Sequence, residues 1–486
     1  MGPLYNSSSA YSGSQNSNSL FGRVDLVALG LYFALVICGI VCITSASYDG
    51  DVENIFSLRH NYMKQIMWLG IASVVGLVIL LLERRYFHMF AYPAYVVGIL
   101  MLLALYIPGL GKEVNGATAW FEIGGIRMQP VEFVKIATAL MMARVMSDYS
   151  FSMNRVSDLM KVGLVLLVPV IIIISQNDTG SALVLGSFLF VFIREGLTKY
   201  LYFPVIFSVL LFISSFIFTH GAIFFVLLVL FMLYSVFKTG EVIGHVRIFA
   251  AMMLATLLLA VFTPLSGYAS LMIVCGIAAV VLGVVAIKMR AMVLLWPIIM
   301  FVYAMIFVPT CDAMFSKLKQ HQQNRILTYV GIKSDPKGLD YNVNQSLIAI
   351  GSGGMWGKGF MEGTQTKYDY LPEKHTDFIF CTVGEEWGFV GTSVVVLLFV
   401  SLILRLMRMG ERIKEPFGRV YCYAVASILL FHVWVNIGMT IGLMPVMGIP
   451  LPLMSYGGSS LVAMTILIMI AIRLDASTED ESVYLS

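Results

Sequence analysis

The residues of this chain that are best suited to take part in chemistry are charged side chains within apolar stretches. Glu132 and Lys135 lie three positions apart near the start of the apolar stretch 130–147, so on a helix they share one face. A charge inside a membrane-spanning helix is costly and seldom incidental. The two residues therefore indicate a pair that lines a cavity, and a purely structural ion pair is the alternative.

A second polar group stands at the start of the apolar stretch 377–404. His375 and Asp377 come first, and Glu385 follows about two helical turns later. On a helix Glu385 lies roughly 80° from Asp377, so both belong to one polar flank, which we expect to face the interior of a helix bundle. No second His or Cys lies close to His375 in the sequence, which argues against a metal site at that residue.

A long polar loop separates two apolar stretches and contains further carboxylates. In KSDPKGLDYNVNQS, residues 333–346, Asp335 and Asp340 lie five positions apart. Taken alone, the Asp-Pro pair is typical of the start of a turn. The loop 310–376 also carries Lys358 and is mildly basic, which suits either a solvated surface or a site for an anionic, lipid-linked substrate.

The composition identifies the elements that must position these groups. Charged residues make up 12% of the chain, about half of the roughly 25% usual in globular proteins, and hydrophobic residues make up 59%. Apolar stretches of about 20 residues recur, the length needed to cross roughly 30 Å of hydrocarbon as a helix. We count fourteen candidates, which predicts an all-α polytopic membrane protein with about 14 transmembrane helices. The six cysteines have no metal-ligand spacing and indicate neither a disulfide framework nor a zinc site.

Lysine and arginine are distributed unevenly between the connections. With the N-terminus in the cytoplasm, sixteen of them fall in inner connections and four in the short outer ones. This asymmetry fits the positive-inside rule. It predicts that both termini are cytoplasmic and that the loop 310–376 faces outward.

The chain divides into polar ends and a membrane domain. Residues 1–22 are rich in Ser, Asn and Gly, and residues 476–486 are also polar, so both are predicted to be disordered cytoplasmic tails around a membrane domain at 23–475. The Gly-rich GSGGMWGKGF lacks the G-x-x-x-x-G-K-[ST] pattern, which excludes a nucleotide phosphate loop of that type.

Four segments carry a resemblance to a known family. They are GATAWFEIGGIRMQPVEFVKIA, QNDTGSAL, the run from SDPKGLDY through GKGFMEGTQ to PEKHTDF, and MPVMGIPLPLMSYGGSS. In this order they closely resemble the SEDS family (shape, elongation, division and sporulation; RodA/FtsW/SpoVE), and within it the RodA branch. The resemblance covers most of the chain except roughly 198–290. It implies a SEDS-type bundle of ten family helices with a four-helix insertion, which we expect to pack at the periphery.

The resemblance implies an inner-membrane peptidoglycan glycosyltransferase. Such an enzyme polymerises lipid II, the undecaprenyl-diphosphate-linked disaccharide-pentapeptide, into β-1,4-linked glycan strands on the outer face of the membrane during elongation and shape maintenance. A lipid II flippase is the alternative, because a membrane cavity with charges suits either activity. An acidic base at Asp335 favours catalysis, since a flippase has no need of one.

The resemblance also implies roles for individual residues. Asp335 matches the family's essential extracellular aspartate, as a general base or as a ligand of a catalytic divalent cation, Mg²⁺ or Mn²⁺. Asp340 replaces a family glycine and could be a second metal ligand. Trp120 matches the Trp of a G-A-x-x-W motif near the substrate groove, although an interfacial anchor is the alternative. The family's cation before that Trp is absent here, so Arg127 or Arg325 is expected to replace it.

The predicted substrate-binding residues are Trp120, Arg127, Glu132, Lys135, Arg325, Lys358, His375, Asp377 and Glu385. Asp178, in QNDTG, matches a family aspartate whose expected role here is structural. The implied partners are a class B penicillin-binding protein, which is a transpeptidase, and other proteins of the elongation complex such as MreC and MreD. Nothing in the sequence indicates a nucleic-acid partner.

Overall fold

The chain is mainly helical in the structure, a computed structural model. The structure describes residues 24–47, 60–114, 116–123, 126–239, 242–262, 267–288, 292–318, 320, 323, 327, 339–367, 370–371 and 373–477. The helices are α1 (Leu26–Ser47), α2 (Asn61–Leu81), α3 (Arg84–Ala104), α4 (Pro130–Met146), α5 (Val156–Ser175), α6 (Thr179–Leu185), α7 (Phe188–Arg194), α8 (Lys199–Ile217), α9 (His220–Thr239), α10 (Val242–Phe262), α11 (Gly267–Lys288), α12 (Met292–Lys317), α13 (Leu339–Ser352), α14 (Thr364–Lys367), α15 (Ile379–Arg412), α16 (Pro416–Thr440) and α17 (Gly458–Ala476). The strands are β1 (Gly111–Val114), β2 (Ala117–Ile123) and β3 (Ile126–Met128).

Within the described residues, ten helices are long and apolar enough to cross a membrane: α1, α2, α3, α5, α8, α9, α12, α15, α16 and α17. Three shorter apolar helical stretches accompany them, at Thr179–Arg194, Arg247–Leu259 and Ala269–Val281. The predicted helical, multi-pass membrane architecture is confirmed at this level. The predicted total of fourteen spans and the extent of the loop 310–376 stay predictions. Part of that loop is helical, because α12 continues to Lys317 and α13 begins at Leu339.

The chain forms two compact units. The first contains α1–α7 and the segment from Asn342 to the C-terminus. At its centre are α16 and α17, the most enclosed of the long helices. Helix α16 packs on α15 and α4, α17 packs on α2, and α3 packs on α4. Both central helices carry apolar residues on all sides, as expected for helices surrounded by other helices.

The second unit runs from Leu197 to Tyr341 and contains α8–α12. A second, smaller cluster of the unit contains the buried residues Ala279 and Ile298. The larger cluster contains Leu211, Ile223, Phe224, Leu228, Leu271, Cys275, Phe301, Ala304 and Val308. These residues come from α8, α9, α11 and α12, so α12 packs with the helices of the predicted insertion.

A small antiparallel sheet, in the order β1-β2-β3, was not predicted by the sequence analysis. It occupies the connection between α3 and α4, where an all-α fold class has no place for strands. The strands are only three to seven residues long, and β2 is ATAWFEI, with the β-branched and aromatic residues that favour strands. Backbone hydrogen bonding from Thr118 to the carbonyl of Gln176 (3.1 Å) attaches the sheet to the end of α5.

Helix α15 contains a break that brings a distant turn against it. Gly388 has φ +62°, and a Cβ there would lie 2.4 Å from the backbone nitrogen of Gly357. Gly357 has φ +81°, and its own Cβ would lie 2.0 Å from the carbonyl oxygen of Glu386. Only glycine tolerates both the backbone conformation and the close approach. The two glycines therefore hold the turn 353–367 against the first part of α15.

Candidate active site

The predicted pair on α4 is present and fully enclosed. Pro130 occupies the first turn of α4, where its missing N–H costs nothing. One turn later, Lys135 Nζ lies 2.9 Å from Glu132 Oε2, with both side chains at most 3% exposed. The same Nζ lies 2.9 Å from Nε2 of His432 on α16. A buried cation held by a carboxylate and an imidazole is the arrangement that compensates for its lost hydration.

The segment 444–457, which contains most of the fourth family-like motif, is bound by several elements. Gln65 on α2 donates to the carbonyl oxygen of Ser455 (3.4 Å), and the hydroxyl of Ser455 donates to the carbonyl oxygen of Thr376 (2.7 Å). The backbone N–H of Tyr456 donates to the carbonyl oxygen of His375 (2.8 Å). The segment therefore connects α2 with the turn 373–378 that precedes α15.

Two titratable groups in this region have shifted pKa values. Burial raises the pKa of Asp377 to about 7, with a further contribution from the negative charge of Glu373. A Cβ on Gly448 would lie 3.6 Å from Asp377 Oδ2, so the carboxyl lies against the segment 444–457. Burial also raises the pKa of Tyr456, and the positive charge of Arg127 acts in the opposite direction. The segment 444–457 thus has a weakly acidic carboxyl against Gly448, and its Tyr456 is subject to the positive charge of Arg127.

The rings of His375 and Tyr456 are also in contact, with centroids 5.9 Å apart. His375 is therefore in direct contact with Tyr456, whereas Asp377 lies against the same segment at Gly448. A carboxyl with a pKa near neutrality can exchange a proton at neutral pH, and a nearby guanidinium can bind an anion. The arrangement is suited to an acid–base step on an anionic substrate.

Lys358 and Glu385 form a second predicted pair, and both are tied to the turn 353–367. The donors to the Glu385 carboxylate are Lys358 Nζ (2.7 Å), Thr364 Oγ1 (3.1 Å), Gln365 N (2.8 Å) and Thr366 N (3.0 Å). Glu385 is fully buried, whereas the Lys358 side chain is 25% exposed. The structure thus gives Glu385 the role of anchoring this turn, and its contact with substrate stays a prediction.

The sheet carries Trp120 and Arg127. Trp120 is partly exposed on β2, opposite Lys112 of β1. Arg127 on β3 is exposed and lies 3.8 Å from Glu122, which is also hydrogen-bonded to Lys112. That hydrogen bond from Lys112 holds the pKa of Glu122 below its ordinary value. The exposed cations on the sheet face solvent around one shared carboxylate.

Asp178 has the expected structural role. Its carboxylate accepts from the backbone N–H of Ser181 (3.1 Å), which caps the N-terminus of α6. It also accepts from Gln129 Nε2 (3.0 Å), in the residue before α4. Asp178 thereby joins the start of α4 to the junction of α5 and α6.

Three predicted residues cannot be located in the same way. Asp335 and Arg325 lie outside the described residues, and Asp340 is described only by its backbone, in the first turn of α13. Their roles stay predictions. Among the side chains that are described, no group of three or more His, Cys, Asp or Glu residues is arranged to hold a metal ion.

Three polar residues of this region were missed by the sequence reasoning: His432, Asn436 and Tyr456. The predicted residues of the apolar stretches were charged ones, and these three are neutral or only weakly ionisable. A search for any polar residue inside the stretch 420–440 would have found His432 and Asn436, which lie four positions apart. Asn436 Nδ2 donates to the carbonyl oxygens of Asp377 and Ile449, both at 2.8 Å.

Comparison with known proteins identifies relatives over nearly the whole chain. The family model FTSW_RODA_SPOVE, described as "Cell cycle protein", matches residues 26–239 and 221–480. The chain is 33% identical over 454 residues to "Peptidoglycan glycosyltransferase RodA" of Treponema pallidum (strain Nichols), covering 90% of this chain and 94% of the relative. It is 29% identical over 443 residues to "Peptidoglycan glycosyltransferase MrdB" of Escherichia coli (strain K12), covering 90% and 88%.

Solved structures share the fold. One is a chain from the work described as "Structural coordination of polymerization and crosslinking by a peptidoglycan synthase complex", with a TM-score of 0.57 and 24% identity over 94% of this chain and 98% of the other. Another is the rod shape determining protein RodA of Thermus thermophilus, with a TM-score of 0.54 and 23% identity over 94% and 97%. At this level of identity the likeness concerns the arrangement of helices.

Proposed function

The chain belongs to the FtsW/RodA/SpoVE family, and we propose that its activity is that of a peptidoglycan glycosyltransferase. It joins the disaccharides of lipid II into glycan strands by β-1,4 bonds. The observation that carries this function is the shared name and nearly complete coverage of the two bacterial relatives. A membrane protein with charged residues against its helix ends, as found here, is suited to a substrate whose diphosphate lies at the membrane surface.

The reaction requires a proton acceptor and positive charge. A sugar hydroxyl attacks the anomeric carbon, a new C–O bond forms, and the bond to the lipid diphosphate breaks. The hydroxyl proton needs an acceptor, and the leaving diphosphate needs cations. We propose that Asp335 accepts this proton as the general base or, alternatively, binds a catalytic cation. Arg127 and Lys358, both accessible to solvent, are the described cations best suited to bind the leaving diphosphate, with Arg325 as a further candidate.

The remaining predicted residues belong to the substrate site in this proposal: Trp120, Glu132, Lys135, His375, Asp377 and Glu385. Glu132, Lys135 and Glu385 are enclosed in the structure, so their contact with substrate would require the site to open. A Mg²⁺ or Mn²⁺ ion would be held by Asp335, with Asp340 as a second oxygen ligand. Such an ion would neutralise charge that develops on the diphosphate. The described side chains provide no alternative cluster for it.

We place the protein in the inner membrane, with both termini in the cytoplasm and the segment 310–376 outside. In this arrangement fourteen helices cross the membrane, the four within 198–290 being additional to the ten of the family. We further propose that a class B penicillin-binding protein supplies cross-linking, with MreC and MreD in the same complex. Support comes from the structural neighbour, which was studied in a complex that coordinates polymerization and crosslinking.

The test uses purified protein with a cognate class B transpeptidase, fluorescent lipid II and Mg²⁺ or Mn²⁺. Glycan ladders on a gel are expected from the wild type and none from Asp335→Asn, which removes the charge and retains the size. Movement of lipid II across liposome membranes without polymer would support the flippase alternative. Ladders of normal length from Asp335→Asn would refute the assignment of Asp335.

Asp340→Asn separates the two roles of Asp335. If Asp335 binds a cation together with Asp340, Asp340→Asn should raise the cation concentration needed for half-maximal activity. If Asp335 acts only as a base, Asp340→Asn should leave that concentration unchanged. Circular dichroism and gel filtration of each variant verify that the protein is folded.

A further inference from the structure

One face of α16 carries a contact chain, a series of hydrogen bonds made by the neutral polar side chains of His432 and Asn436. His432 and Asn436 lie four positions apart, so they are neighbours on that face. Their side chains are almost completely buried, with 2% and 0% exposure. Buried polar groups of this kind are retained only with partners. Both residues bond to consecutive carbonyl groups of the segment 444–457, at Ile449 and Pro450.

The contacts of His432 define its tautomer. Nδ1 lies 3.2 Å from the carbonyl oxygen of Pro450, which can only accept, so Nδ1 carries the hydrogen. Nε2 of the neutral ring is then an acceptor, and it lies 2.9 Å from Nζ of Lys135, which can only donate. The ring therefore bridges a buried ammonium group on α4 and a backbone carbonyl of the segment 444–457.

Asn436 extends the contact chain by one helical turn. Its amide nitrogen donates to the carbonyl oxygens of Ile449 and of Asp377, both at 2.8 Å. The carbonyl of Ile449 is adjacent in the chain to that of Pro450. Helix α16 consequently holds the backbone of the turn 373–378, which contains Asp377, and of the segment 444–457. His432 connects both to Lys135.

We propose that His432 is a positioning residue of the glycosyltransferase reaction, which aligns the Glu132–Lys135 pair with the segment 444–457 and the Asp377 turn. The inference rests on the proposed function. Phenylalanine would fill the same space but would leave the buried Lys135 ammonium and the Pro450 carbonyl each one hydrogen bond short, which lowers stability, so melting temperature is measured beside kcat. An imidazole at this position supplies the two directed hydrogen bonds that phenylalanine lacks.

The test compares four variants in the purified complex with its transpeptidase. His432→Phe removes both bonds and retains a ring. His432→Gln places an amide oxygen near the Nε2 position, where it accepts from Lys135, and His432→Asn places an amide near Nδ1, where it donates to Pro450. His88→Phe is the matched control, because His88 contacts a cation, Arg144, in the last turn of the same helix α4.

For His432→Phe we expect a kcat about tenfold or more below wild type with KM for lipid II changed less than about twofold, since a small displacement of positioning groups lowers turnover by such factors. His432→Gln should recover part of the kcat, and His88→Phe should retain it. Hydrogen exchange of amides 447–455 should accelerate most in His432→Phe and less in His432→Asn and His432→Gln. It should stay at the wild-type rate in His88→Phe.

Wild-type kcat in His432→Phe would overturn the proposal. Equal losses of kcat in His432→Phe and His432→Gln, accompanied by equal losses of melting temperature, would also overturn it and indicate a purely structural residue. If the wild type itself made no polymer, the proposed function would fail. In that case the exchange of amides 447–455 would still decide whether His432 orders the segment.

Discussion

The buried carboxylate of Glu385 offers a quantitative test of how the turn 353–367 is held. Glu385→Ala removes the acceptor for Lys358 Nζ and for the amides of Gln365 and Thr366, at 2.7, 2.8 and 3.0 Å. The two amides lie at the start of α14, whose N–H groups have no helical partners and favour a negative charge. We expect the variant to insert and fold, with the turn detached from α15.

The magnitude follows from the kind of bond that is lost. Hydrogen bonds to a charged acceptor contribute about 1.5–3 kcal/mol each, and the contributions are not additive. Removing one partner of a buried ion pair costs about 3–5 kcal/mol. Lys358 is 25% exposed, so water compensates for part of its loss. A local destabilisation of about 3 kcal/mol is therefore expected, which corresponds to roughly a hundredfold faster exchange of amides that open with the turn.

Hydrogen exchange measured by mass spectrometry in nanodiscs provides the assay. Peptides that cover residues 358–367 should exchange about a hundredfold faster in Glu385→Ala than in the wild type, and those from α16 should be unchanged. The control is Glu362→Gln, an exposed carboxylate in the same turn. Wild-type protection of 364–367 in Glu385→Ala would refute the anchoring role. Acceleration in Glu362→Gln to the same extent would indicate a general sensitivity of the turn.

Three further measurements test other parts of the structure. Burial raises the pKa of Asp377 from the ordinary 3.8 to about 7, so the folded protein favours the protonated carboxyl. The contribution of Asp377 to folding stability is therefore complete below pH 3.8 and is lost as the pH rises to about 7. The melting temperature should fall over that interval, and an unchanged slope in Asp377→Asn would contradict this. Gly357→Ala should destabilise by about 1–3 kcal/mol from its backbone conformation alone, whereas Gly351→Ala, with open space around it, should not. Finally, cross-linked product should require a copurifying transpeptidase, and cross-linking by this chain alone would refute that dependence.

The short-range parts of the site could be predicted from the sequence. The spacing of Glu132 and Lys135 determines that the two share a helix face, and the structure contains the pair at 2.9 Å. Asp178 precedes a short helix and caps it, as its type and position suggest. These features depend on residues a few positions apart, whose geometry follows from the helix itself.

The long-range contacts could not be predicted in this way. Lys358 and Glu385 are 27 positions apart and meet because glycine at 357 and 388 allows two backbones to approach closely. The bridge from Lys135 to His432 spans 297 positions and depends on which faces of α4 and α16 pack together. Strand β3 has three residues, fewer than the four to eight over which alternation indicates a strand, and β2, ATAWFEI, does not alternate strictly. A search limited to charged residues also excluded the neutral polar side chains of α16.

The position of α12 bears on what the helices within 198–290 contribute. Their peripheral position stays a prediction, and within the second unit α12 buries Ala304 and Val308 completely in a cluster with residues of α8, α9 and α11. Lipid tails are as apolar as these side chains, so hydrophobic burial does not hold α12 in that cluster, and close packing must do so. The chain leaves α12 at Lys317 and continues to Asp335, eighteen positions later. The helices of the predicted insertion therefore pack against α12, the helix that precedes the predicted catalytic loop.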